Sequence, residues 1–333
     1  MLVTGPNGAG KTNLLESLHV GTQGFSPRTR ADAQLVRFGR EAARIRLAGT
    51  RAGVPLALEV SLELGAGKRA SLNGARLRAA EQLRVEVTTL VFTPDRLVVV
   101  KGGPAARRAY FDRVLGRIVP ARASLSAEYA AAVGQRNAAL RRVAQGFSSQ
   151  AALSPWNEQV SGLGGELVAG RIETVTLLRP RFRERAGELG LADAQLRYEG
   201  AAPSVADLEA RLDRDLERGT TGLGPHLDDV GILSGERDLR AFGSQGEQRL
   251  AVLALLLAEV ELLEERRGAR PLLLLDDVLS ELDPARRRIL SDRLRQGGQA
   301  LVTSASPNAL PGGSAQTLEV AQAGDGASTV RAA

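Results

Sequence analysis

Apolar residues change their spacing several times along the chain, and each change predicts a different kind of element. Leu2-Val3-Thr4 reads as the end of a strand running into a glycine-rich loop, then a helix beginning near Gly10. Between residues 42 and 92, alternating or β-branched runs (Ala43 to Leu47, Leu56 to Leu62, Val85 to Phe92) are split by Gly and Asn turns, which predicts antiparallel strands. From about Gly103 to Gly190 the spacing is helical. Tyr110, Phe111, Val114, Leu115 and Ile118 recur on one face, with Arg108, Arg113 and Arg117 between them. Pro120, Pro155 and Pro180 predict several helices there and not one rod. Strand character returns at Ala194 to Tyr198 and Gly224 to Leu233. The last third then reads helix (Ser244 to Glu265), apolar strand (Leu272 to Leu275), helix (Pro284 to Arg295) and strand (Ala300 to Thr303). That alternation predicts a parallel, helix-covered sheet. Beyond Pro311 the chain is Gly/Ala-rich, with room for one or two edge strands.

Composition narrows the classes of function. The 333 residues can bury a sizeable core, and 44 basic against 38 acidic side chains give a net charge of +6. All but Lys11, Lys68 and Lys101 of the basic residues are arginine. The chain has no cysteine, which excludes disulfides and thiolate chemistry. His19 and His226 are too few for a zinc site of the usual kind. The longest apolar run, Leu250 to Ala258, is nine residues and too short to span a bilayer. With no export signal at the N-terminus, a soluble cytoplasmic protein is expected. Only 11 aromatic residues argue against a stacking platform for single strands.

Four short segments carry candidate chemistry. Gly5-Pro6-Asn7-Gly8-Ala9-Gly10-Lys11-Thr12 fits the phosphate-loop pattern at every fixed position. Its glycines let backbone N–H groups face phosphates at a helix N-terminus, Lys11 reaches the β- and γ-phosphates of ATP, and the Thr12 hydroxyl suits Mg²⁺. Leu272 to Leu275 followed by Asp276 and Asp277 is an apolar strand ending in two carboxylates. On that reading Asp276 holds the metal shell and Asp277 positions or deprotonates the attacking water. Ser244-Gln245-Gly246-Glu247-Gln248 opens a helix as a capping box, yet Gly246 adds close backbone approach that a plain cap does not need, so Ser244 and Gly246 could form a second anion site. Asp283-Pro284 reads as a helix cap followed by proline in the first turn.

In this order, with Ser280-Glu281-Leu282-Asp283 after the two carboxylates, the motifs resemble an ABC-type ATPase head, and within that class the RecF family of bacterial DNA-repair proteins. The resemblance also rests on Asn13-Leu14-Leu15-Glu16, Phe92-Thr93-Pro94-Asp95 with Leu97, and Lys101-Gly102-Gly103-Pro104 leading to Arg107-Arg108 and Asp112. Gln135-Arg136-Asn137, Trp156 and Gly224-Pro225-His226 with Asp228-Asp229 extend it from residue 5 to about 304. It implies an α/β head, formed by a mixed sheet plus antiparallel strands, with an inserted helical lobe. The expected division is 1–98 and 222–333 for the head and 99–221 for the lobe. It further implies ATP and Mg²⁺ as cofactors, an ATP-dependent homodimer in which Ser244 of one copy faces the phosphates held by Lys11 of the other, and double-stranded or gap-edge DNA as substrate. Asp283 and the signature then help enclose the nucleotide, RecR and RecO are the implied protein partners, and the location is the nucleoid. Three departures stand out. The family carries two or three strands ahead of the phosphate loop, so a shortened N-terminus is expected; Leu227 stands where the family has Arg; and Arg96 stands where an acidic residue is common.

Charge bears on the DNA expectation. Segment 101–142 carries +7, more than the whole chain, and Arg107, Arg108, Arg136 and Arg141 are the candidate phosphate contacts. A solvated arginine face would show the same composition. Two other classes compete. A membrane-transporter ATPase is opposed by the 232 residues from Thr12 to Ser244 and by Val302-Thr303-Ser304-Ala305, which lacks the histidine transporters place there. A nucleotide-controlled scaffold without DNA contact stays open.

Overall fold

The computed structural model describes residues 1–29, 31–51, 53–323 and 327–332. Strands in chain order are β1 (Leu2–Thr4), β2 (Ala42–Arg51), β3 (Val54–Glu63), β4 (Gly67–Leu72), β5 (Ala75–Arg76), β6 (Thr89–Phe92), β7 (Ala194–Tyr198), β8 (Val230–Ser234), β9 (Arg237–Asp238), β10 (Leu272–Leu275), β11 (Ala300–Ser304), β12 (Thr317–Gln322) and β13 (Ser328–Ala332). Helices are α1 (Lys11–Gln23), α2 (Val98–Lys101), α3 (Pro104–Ile118), α4 (Leu125–Ala144), α5 (Ser154–Glu188), α6 (Val205–Ala210), α7 (Leu212–Arg218), α8 (Leu239–Phe242), α9 (Gln245–Arg267) and α10 (Pro284–Arg295). None of the described helices is long and apolar enough to cross a membrane.

The chain divides into two compact units, residues 1–95 with 267–333 and residues 96–266. The first holds a six-stranded sheet in the order β13-β12-β1-β11-β10-β6, parallel except for the edge pair β12–β13. A second sheet, β2-β3-β4-β5, is antiparallel. Helix α1 lies between the two sheets. Leu15 packs with Val3, Val91, Leu274 and Leu301 of the parallel sheet, and Val20 packs with Leu58, Val60 and Ala70 of the antiparallel one. Burying such side chains stabilises each by about 1.5–3 kcal/mol, so the helix that follows the phosphate loop is anchored on both faces.

One segment departs from the expected strand. Val85 to Phe92 is not an antiparallel strand: Ala80–Val85 is a 3₁₀ turn, and only Thr89–Phe92 is extended, running parallel to β10. All four of its residues are buried, as befits a strand covered on both faces, where alternation is lost.

The second unit is mainly helical. Leu115, Leu125, Tyr129, Val133, Val160, Leu167 and Leu208 form its core. Pro120 and Pro155 stand in opening turns, but Pro180 lies inside α5, which continues for 35 residues, about 52 Å. The expected break at Pro180 is therefore absent. Arg181 Nη1 donates to Leu177 O at 2.8 Å, giving a carbonyl next to the disrupted turn an extra donor. Gly224 to Asp229 is a loop, and the strand begins only at Val230. The three-stranded sheet β7-β8-β9 and most of α9 also belong to this unit, so its limit falls at 266 and not at the expected 221. Helix α9 buries a long apolar face, and its buried Glu259 accepts from Tyr110 and Arg117 on α3, while Arg107 pairs with Asp229.

Candidate functional site

Backbone geometry in the first unit fits a phosphate cradle. Gly10 has φ +104°, and a Cβ there would lie 2.3 Å from Ser328 Oγ; Gly5 has φ +150°, and its Cβ would lie 2.2 Å from Val320 O. Only glycine satisfies both conditions. The loop thus follows from two close approaches to β12 and β13 at the end of β1. Lys11 Nζ donates to Gly5 O (2.8 Å) and Pro6 O (3.0 Å), so its ammonium arches over the loop. Pro6, Asn7, Gly8 and Ala9 complete the turn, closed by Ala9 N donating to Pro6 O at 3.2 Å.

The two carboxylates separate in environment. Asp276, 7% exposed, accepts from Thr12 Oγ1 at 2.9 Å and from Thr303 Oγ1 at 2.7 Å. Its own N–H donates to Phe92 O, extending the β6–β10 ladder by one rung. Asp277 is exposed and left-handed at φ +50°, an unusual conformation for a residue with a side chain. Its N–H donates to Thr303 Oγ1 at 2.9 Å, and Ser280 Oγ donates to its carbonyl. Thr303 therefore fixes both acids, and it was not among the expected site residues. The signal is the Thr303-Ser304 pair of hydroxyls that ends the apolar strand β11, both of them buried. Asp283 caps α10, accepting from Arg286 N at 2.9 Å and from Arg286 Nη1 at 2.8 Å. The backbone bond holds its carboxyl below the usual carboxylate range.

In the second unit, Ser244 and Glu247 form the expected capping box. Glu247 N donates to Ser244 Oγ (3.2 Å) and Ser244 N donates to the Glu247 carboxylate (2.7 Å), which depresses the Glu247 pKa. Gln248 Nε2 donates to Leu239 O and fixes α9 against α8. Ser244, Gln245 and Gly246 are exposed, and the side where a Gly246 Cβ would stand is open apart from Ser244 Oγ at 3.9 Å.

Two of the four arginines expected at DNA are not available to it. Arg107 is 1% exposed and grips Asp229 with two nitrogens. Arg136 is fully buried, bonded to Asn157 Oδ1 (2.8 Å), Asp215 Oδ2 (2.7 Å) and Thr221 Oγ1 (2.9 Å). A guanidinium buried in the core and committed to such partners cannot also reach phosphate. Arg108 is half-buried and donates to Asp228 O, whereas Arg141 is exposed. The departures also have places. Arg96 sits by Arg117 and Glu259, and burial pushes its guanidinium down to about 10. Leu227 is exposed on a loop held by Arg107 at Asp229, Arg171 at Pro225 O and Tyr129 at His226.

Comparison with known proteins agrees with this architecture. The RecF/RecN/SMC N-terminal domain matches residues 1–329. The DNA replication and repair protein RecF of Heliobacterium modesticaldum is 36% identical over 91% of this chain and 85% of its own length. That of Myxococcus xanthus is 38% identical over 94% and 86%. The solved structure of the recombination mediator protein RecF with ATP, in the RecFOR pathway, is similar at a TM-score of 0.85 and 27% identity, covering 99% of this chain and 91% of that one. An SMC head bound to the C-winged helix domain of ScpA shares the fold at a TM-score of 0.60 and 16% identity. With the phosphate loop, the paired carboxylates and the capped signature helix in place, the chain belongs to the RecF family.

Proposed function

We propose that this protein is an ATP-switched DNA-binding ATPase of recombinational repair and replication. Two copies enclose two ATP molecules, with Ser244 and Gly246 of one copy against the phosphates held by Lys11 of the other, and the dimer clamps duplex or gap-edge DNA. The observation that carries this reading is the hydroxyl–carboxylate set at the phosphate loop, in which Thr12 and Thr303 orient Asp276 while Asp277 stands exposed beside it. Thr12 and Asp276 are hard oxygen donors that suit Mg²⁺, which is commonly held by one or two side chains plus substrate phosphates. When bound, the ion supplies charge neutralisation at the β- and γ-oxygens. Lys11 neutralises the same oxygens, Asp277 orients or deprotonates the attacking water, and Asp283 helps close the site. Slow hydrolysis releases the clamp. By relationship to the RecF proteins above, the partners are RecR and RecO at the nucleoid, and the helical lobe presents Arg108 and Arg141 toward DNA.

The test is fluorescence anisotropy of a labelled duplex with ATP, ADP and no nucleotide. Tight, salt-sensitive binding is expected with ATP alone. Equal binding in all three states would contradict the switch, and no binding in any would favour a nucleotide-controlled scaffold.

A further inference from the structure

We infer that the solvent-facing side of the antiparallel sheet β2–β5 docks the phosphate backbone of duplex DNA. This rests on the DNA-binding reading above and gives the contact a place in the first unit. Side chains alternate across the four strands. Ile45, Leu47, Leu58, Val60 and Ala70 turn toward the core beneath α1. The opposite parity presents Arg44, Arg46, Ser61, Ser71, Arg69 and Arg76.

The strand register sets these residues in two rows. Arg44, Ser61 and Arg69 stand side by side, as do Arg46, Glu59, Ser71 and Arg76. The second row crosses three strand spacings, about 14 Å, comparable to the ~12 Å width of a major groove. Cations at its two ends can therefore meet phosphates on either side of one groove.

Charge compensation differs sharply between the faces. On the inner side Lys68 has Asp32 and Glu81, and Arg51 has Glu86. On the outer side Arg44 and Arg46 share one carboxylate, Glu59, at 3.3 and 2.9 Å. Arg69 and Arg76 are exposed and make no salt bridge or side-chain hydrogen bond among the described residues. Glu63 is the only other acid at these outward positions, so the face keeps positive charge in excess. Guanidinium forks and serine hydroxyls are suited to phosphate oxygens. No aromatic residue occurs between 42 and 76, so bases have nothing to stack on and the backbone of a duplex is the fitting ligand.

The experiment compares the full chain with the double variant Arg69→Ala/Arg76→Ala, measuring anisotropy of a labelled duplex with ATP from about 50 to about 200 mM salt. Removing two phosphate contacts should flatten the plot of log K against log salt by about 2, and Arg69→Lys/Arg76→Lys should restore it. ATP affinity and the urea midpoint should not move, since both side chains are exposed and unpaired. A slope unchanged from wild type would overturn the site while leaving the DNA reading intact. Absence of duplex binding by the wild-type chain in every nucleotide state would overturn both.

Discussion

At the scale of single residues, Asp276 and Asp277 are chemically equal neighbours that the fold makes unequal. Asp276 is buried between two threonine hydroxyls, whereas Asp277 is exposed and held in the left-handed region, which costs on the order of 1–3 kcal/mol. Asn tolerates that region, so Asp277→Asn should keep nucleotide affinity and lose turnover, whereas Asp276→Asn should weaken magnesium-dependent binding itself. Nucleotide titration alongside phosphate release separates the two; equal loss of binding in both variants would refute the division of labour. Arg136 gives a contrasting expectation. Its guanidinium and Asp215 are both buried, so Arg136→Ala strips Asp215 Oδ2 of its partner, leaving only Gly222 N and Arg211 on the other oxygen, and should cost about 3–5 kcal/mol in urea unfolding. A stable Arg136→Ala with impaired DNA binding would return that residue to the DNA surface.

At the scale of elements, the loop Gly224 to Asp229 carries a pH dependence. His226 Nδ1 lies 2.9 Å from Tyr129 Oη and Nε2 lies 2.9 Å from Thr221 O, a set that satisfies the neutral ring. Burial lowers its pKa below 6.5, and Arg108 pushes it the same way, against the hydrogen bond to Thr221 O and the carboxylates of Asp228 and Asp215. The unfolded chain therefore binds more protons in this range, and the stability from His226 is present above pH 6.5 and lost as pH falls below it. Urea unfolding of wild type and His226→Gln between about pH 5 and pH 8 should show the wild type losing stability more steeply toward acid. Parallel curves would exclude His226 as the source.

Elements were legible where local pattern decides. The run Leu272 to Leu275 and the Asp283-Pro284 start of α10 appear at their expected bounds, because an apolar strand and a capped helix are set by nearby residues. Val85 to Phe92 and Pro180 were not, since a parallel partner 183 residues away sets the first and burial of Leu178, Phe182 and Ala186 carries α5 through the second. The local geometry of the candidate motifs was legible for the same reason: the phosphate loop, the paired carboxylates and the cap are each contiguous in sequence. The arginines were not. Asp229 and Asp215 lie 122 and 79 residues from Arg107 and Arg136, and composition counts charges without saying which way they face.

At the scale of the whole molecule, the proposed clamp requires ATP to act as a dimerising ligand. A ligand that binds only at an interface between two copies shifts monomer to dimer by its differential affinity. Ser244 is exposed at the start of α9, so Ser244→Arg places a bulky cation at the proposed interface, costing the monomer about 1 kcal/mol through loss of the cap. Static light scattering of wild type and Ser244→Arg with Mg-ATP and with Mg-ADP tests this most directly. The expected result is doubled mass for the wild type with Mg-ATP alone, and monomer for Ser244→Arg with its nucleotide affinity retained. A Ser244→Arg dimer in Mg-ATP, or a wild-type chain monomeric in both nucleotides, would contradict the account.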